Sequence, residues 1–123
     1  MNLKEYQEAA KRTLPDLSKK ELNIEDLNNY HMILGMITEM AELADVFKKN
    51  LAYGKPIDWV NVEEEVIDAM WYIVNFATIN NIDLERGMEN NINKLKIRYT
   101  EKFDSEKALN RDLEAERLTL EQK

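Results

Sequence analysis

Residues 27–47 read LNNYHMILGMITEMAELADVF, with no proline and a single glycine, Gly35. At about 100° per residue, Leu27, Tyr30, Leu34, Ile37, Ala41 and Ala44 form one apolar stripe. Ile33, Met36, Met40, Leu43 and Phe47 form a second stripe, roughly a third of a turn away. This pattern predicts a long helix, capped at Asn23-Ile24-Glu25-Asp26, running to about Leu51 and stopped by Tyr53-Gly54-Lys55-Pro56. A helix in a single bundle needs only one apolar stripe. Two stripes predict burial on two sides, as when bundles pair into dimers or tetramers. The remaining flank carries His31, Gly35, Glu39, Glu42 and Val46.

The same reading extends outward in both directions. Leu3, Tyr6, Ala10 and Leu14 predict a first helix, which Pro15 ends or bends. Asp58 or Asn61 caps a helix that runs to about Asn80, with Asn61-x-x-Glu64 as a capping-box variant. Its core stripe is Val62, Val66, Ala69/Met70, Ile73 and Ala77, and its flank is Asn61, Glu65, Asp68, Tyr72 and Phe76. Trp71 and Trp59 fall on other faces. Asp83 caps a helix from Leu84 to about Tyr99, and Ser105 caps a last one from about Glu106 to Glu121. No β-alternation interrupts these helices, so the expected fold class is all-α, a single domain over residues 1–123 with a charged tail from about residue 100.

Composition narrows the function classes. The chain has 123 residues, no cysteine and a formal net charge of -7. The charge argues against a nucleic-acid partner, because such proteins neutralise phosphates with Lys and Arg. The lack of cysteine is compatible with the cytoplasm. The charged N-terminus reads as no signal peptide, and no stretch is apolar enough to span a membrane.

Chemistry concentrates in two carboxylate pairs, Glu39-x-x-Glu42 and Glu65-x-x-Asp68. Residues three apart lie on one helix face. If the core stripes of the two helices face each other, their acidic flanks converge on a common groove. Four carboxylates there repel one another without a cation, and an all-oxygen donor set suits Mg²⁺ or Mn²⁺. A di-iron bundle wants Glu-x-x-His pairs, and His31 is the sole histidine. On the next helix Gly87, Asn91, Lys94 and Arg98 share a flank, and a row of amide, ammonium and guanidinium can hold phosphate oxygens. Tyr72, Phe76 and His31 lie on the acidic flanks, where packing in the core is the first reading of each and contact with an aromatic ligand the second.

The ordered set Glu39-x-x-Glu42, Glu65-x-x-Asp68 and Asn91-x-x-Lys94-x-x-x-Arg98 resembles the all-α nucleoside triphosphate pyrophosphohydrolase superfamily, most closely its MazG-like branch. The resemblance runs from His31-x-x-x-Gly35-x-x-x-Glu39 to Arg98-Tyr99-x-x-Lys102-Phe103, and the tail from Ala108 to Arg117 is similar to tails of small MazG-like proteins. It implies an antiparallel helical bundle that assembles as a homodimer or homotetramer. It implies hydrolysis of (deoxy)nucleoside triphosphates to monophosphate and pyrophosphate, with Mg²⁺ held by Glu39, Glu42, Glu65 and Asp68. Asn91, Lys94 and Arg98 would then contact triphosphate or sugar, and either Glu39 or Glu42 would take the proton of water. Two positions depart from the pattern: Thr38 stands where MazG proteins often carry a leading glutamate, and Thr100 where related tails carry proline. The alternative is a non-catalytic nucleotide sensor or helical interaction protein, with the acids as a solvated face.

Overall fold

In a computed structural model that describes residues 1–99 and 101–121, the elements are α1 (Leu3–Lys11), α2 (Ile24–Tyr53), α3 (Trp59–Ile79), α4 (Leu84–Arg98), α5 (Ser105–Leu109) and α6 (Leu113–Leu120). No strand occurs among the described residues, in line with the all-α expectation. Thr100 lies outside the described residues.

The ends of the helices follow local chemistry. Asn23 Oδ1 accepts the Asp26 N–H at 2.9 Å while Asp26 accepts the Asn23 N–H, a reciprocal capping box. Gly54 ends α2 in the left-handed region at φ 65°, and its N–H reaches the Asn50 carbonyl at 2.9 Å. Asp58 then caps α3 by accepting from the Val60 and Asn61 N–H groups. This decides between the two candidate caps and frees the Asn61 side chain. At the far end Asn81 takes φ 52°, with Asn81 N–H on the Thr78 carbonyl and Ile82 N–H on that of Ala77. That is the Schellman arrangement, which asparagine tolerates better than most residues.

Two expected boundaries move. α1 stops at Lys11 because Pro15 disfavours helical geometry just before it, and the Thr13 and Leu14 N–H groups close tighter turns onto Ala10 and Lys11. The last helix is broken in two. Asp104, not Ser105, caps α5, and Asp112 offers the backbone a fresh cap by accepting from the Ala115 N–H at 3.0 Å.

Among the described residues the substantial helix pairings are α2 with α3 and α4 with α6. The first is an antiparallel hairpin whose far end is tied by Asn80 Nδ2–H to Asn29 Oδ1 at 2.6 Å. Its inward faces differ from the expectation. The covered side of α2 carries Met32, Gly35, Met36, Glu39, Leu43 and Val46. That of α3 carries Asn61, Val62, Glu65, Ala69, Tyr72, Phe76 and Ala77. Polar flanks therefore meet inside the hairpin, and much of both apolar stripes turns outward. Leu34 is 61% exposed, Ile37 60% and Met70 53%. Among the described residues no helix is long and apolar enough to cross a membrane.

Candidate metal centre

Antiparallel packing sets the acidic turn of α2 beside that of α3. Glu39, Glu42 and Glu65 each offer a carboxylate oxygen, and these atoms lie within 4.8 Å of one another. Glu65 is buried at 7% exposure, Glu39 is half-buried and Glu42 is exposed. Asn61, one turn before Glu65, donates its Nδ2–H to Glu65 Oε1 at 2.5 Å. Asp68 is exposed and stands outside the group of three, yet its charge reaches Glu39. The Glu39 carboxyl is pushed above its usual range, first by desolvation, then by the negative charges of Glu42, Asp68 and Glu65, and by a hydrogen bond with Glu65. Crowded carboxylates with neither a cationic side chain nor sulfur or imidazole among them suit a small hard cation. The donor set thus fits Mg²⁺ or Mn²⁺.

On one side of the acids is an aromatic end. The Tyr72 ring, one turn after Asp68, packs closely against α2 at Gly35. A Cβ added at Gly35 would come within 2.1 Å of that ring, so only glycine admits this approach. His31 meets Tyr72 edge-on at 6.0 Å between centroids, and Trp71 does so at 5.0 Å. Trp71 thus joins the aromatic group despite its place on another face of the helical wheel.

On the other side is a cationic end. A cavity of about 320 Å³ adjoins the acids and is lined by Ala41, Glu42, Asp45, Val46, Lys49, Asn61 and Glu65. A second, of about 120 Å³, continues from it and is lined by Val46, Lys49, Lys55, Pro56, Asp58 and Asn61. Asp45, Lys49 and Lys55 went unmarked in the sequence reading. The available signal was the continuation of the Glu39/Glu42 spacing to Asp45, with Lys49 one turn further.

The row on α4 stays apart from these cavities. Neither is lined by Asn91, Lys94 or Arg98. Asn91 is exposed and Lys94 half-buried. The Arg98 guanidinium is engaged instead by Glu116 of α6, with Nε–H to Oε1 at 2.8 Å and Nη2–H to Oε2 at 2.6 Å. Arg111 donates to the same carboxylate at 2.6 Å. The two guanidiniums hold the Glu116 carboxyl down to about 2, and the Arg98 proton is bound more tightly than usual.

No curated protein and no solved structure matches the chain significantly. The family model for the MazG nucleotide pyrophosphohydrolase domain matches residues 28–103, which takes in almost all of α2, then α3 and α4, and so both acidic pairs. That match covers more than half of the sequence, and on it the chain belongs to the MazG nucleotide pyrophosphohydrolase domain family.

Proposed function

We propose that the protein hydrolyses (deoxy)nucleoside triphosphates to the monophosphate and pyrophosphate, with Mg²⁺ held by Glu39, Glu42, Glu65 and Asp68. The observation that carries this reading is the meeting of three carboxylates across α2 and α3, one of them buried, in a chain of this family. When bound, Mg²⁺ supplies a Lewis acid that draws charge from phosphate oxygens and acidifies water. The protein's own groups supply the rest. Asn61 fixes the Glu65 carboxylate through its 2.5 Å hydrogen bond. One of Glu39 and Glu42 accepts the proton as a water oxygen bonds to the α-phosphorus and the bond to the bridging oxygen breaks, releasing pyrophosphate. Tyr72 and His31 border the nucleoside end. Such work on a nucleotide pool suits the cytoplasm.

Assembly belongs to the same proposal. The chain exposes 10765 Å², whereas a compact monomer of its mass exposes about 6,900 Å². The surplus, roughly 4,000 Å² on one chain, is ample for one side of an obligate interface, and outward Leu34, Ile37, Ile67 and Trp71 give it an apolar character. The protein is accordingly a homodimer or homotetramer. Asn91, Lys94 and Arg98 reach phosphate or sugar in that assembly, Arg98 after exchanging Glu116 for phosphate.

A pyrophosphate-release assay over a panel of dNTPs with Mg²⁺ tests the reading. Turnover that disappears in Glu65→Gln is expected. Absence of turnover overturns it, and Mg-dependent binding without turnover would assign the protein as a sensor.

A further inference from the structure

Along the α2–α3 hairpin the groove has a direction: an aromatic end at Tyr72 and Gly35, acids in the middle, and lysines at the far end. A nucleoside triphosphate has the same order, with an aromatic base, an α-phosphate that needs a metal, and terminal phosphates that need cations. We propose that Lys49, backed by Lys55, is the terminal-phosphate subsite of this groove, so that the pyrophosphate to be released lies over Asp45, Lys49 and Asn61.

This inference rests on the hydrolase reading and adds an orientation and a residue to it. Lys49 follows Glu42 by two turns, about 10 Å of helix rise, and its side chain can reach back toward the acids. It lines both cavities, and so does Asn61. The groups facing that end are Glu42, Asp45, Asp58 and Glu65 among acids and Lys49 and Lys55 among cations. Lys49 Nζ is 2.5 Å from Asp45 Oδ2, with about half of the lysine side chain exposed. Lys48 pairs with the same carboxylate from the outer side. Asp45 therefore keeps a counter-charge when Lys49 swings to a phosphate, and an exposed pair is weak enough to exchange. A phosphate oxygen offers the ammonium a stronger, doubly charged partner.

Lys48 supplies the control, because it shares Asp45 but lines neither cavity. The test compares the parental protein with Lys49→Met, Lys49→Arg and Lys48→Met by calorimetry in Mg²⁺. The probes are a dNTP analogue with a non-hydrolysable α,β bridge, inorganic pyrophosphate and the nucleoside monophosphate. Lys49→Met is expected to weaken the analogue and pyrophosphate by about ten-fold or more. Its affinity for monophosphate stays at the parental value, Lys49→Arg restores most of the loss, and Lys48→Met loses far less than Lys49→Met. Parental affinity for the analogue in Lys49→Met overturns the subsite while leaving the hydrolase reading standing. Equal weakening of all three probes overturns it in favour of a structural role. A parental protein that neither binds the analogue nor turns over dNTPs overturns both readings together.

Discussion

Glu65 and Glu116 are both buried, at 7% and 3% exposure, and their surroundings are opposite. Glu116 receives hydrogen bonds from Arg98 on α4 and from Arg111 just before α6, so its charge is matched within the chain. Glu65 receives the Asn61 amide, while Glu39 and Glu42 crowd it with charge of its own sign. A buried carboxylate is tolerated when paired and is costly when it is not. The α4–α6 pair therefore uses its acid as a tie between helices. The α2–α3 hairpin keeps its acid short of a cation, the condition for taking one from solution. Proximity of acids says little by itself; the missing counter-charge separates a candidate metal centre from a structural ion pair.

The largest expected effect comes from removing the unmatched charge. Glu65→Gln preserves shape and the contact with Asn61 but deletes a ligand. Mg-dependent pyrophosphate release should fall by at least about a hundred-fold. Without metal the variant should melt at or above the parental temperature, because like-charge repulsion has been relieved. A lower metal-free melting temperature would make Glu65 a structural residue. Glu116→Gln is the inverse case. It leaves Arg98 and Arg111 facing each other over a neutral amide, and the melting temperature should drop by on the order of 5 °C. An unchanged melt would remove Glu116 as the tie between α4 and α6.

Metal addition sharpens the contrast. A ligand that binds only the folded chain stabilises it in proportion to the logarithm of its saturation. Mg²⁺ should raise the melting temperature of the parent by roughly 10 °C at a hundred times its dissociation constant. Glu116→Gln should show the same increment from its lower baseline, and Glu65→Gln little of it. An equal increment in all three proteins would place Mg²⁺ elsewhere on this acidic chain.

The spacing of residues carried much of this architecture and little of its orientation. Caps at Asn23 and Asp83 and the stop at Gly54 are local chemistry, and a short turn makes α2 and α3 antiparallel neighbours. The i,i+3 spacing put Glu39 with Glu42 and Glu65 with Asp68 on one face of each helix, but the expected meeting of the two pairs rested on facing core stripes, which is not how the helices pack. The inward face was not legible in the spacing. A helical wheel assigns apolar stripes to the core, but Leu34, Ile37 and Met70 turn outward while the polar flanks pack inside the hairpin. The partner of Arg98 was equally hidden: Glu116 is eighteen residues away, across the break at Asn110-Arg111-Asp112. Lys49 was overlooked for a different reason, since pairing with Asp45 at i,i+4 looks like ordinary surface charge until the cavity beside it is seen.

Acid titration gives the smallest and most discriminating effect. The Glu116 carboxyl sits at about 2 in the folded chain against an ordinary 4.5, so the unfolded chain binds its proton first as pH falls. Its contribution to stability is full above about 4.5 and is lost between there and about 2. Glu39 is displaced the other way. Its raised carboxyl favours the folded chain at low pH, and that advantage disappears as pH climbs through the folded value. In metal-free melts from pH 6 down to 2.5, Glu116→Gln should start below the parent and Glu39→Gln above it. Both gaps should narrow as acid protonates the parental carboxylates, closing from opposite sides. Gaps of the same sign would mean that the two acids have equivalent environments, and the division into a matched helix pair and an unmatched one would fail.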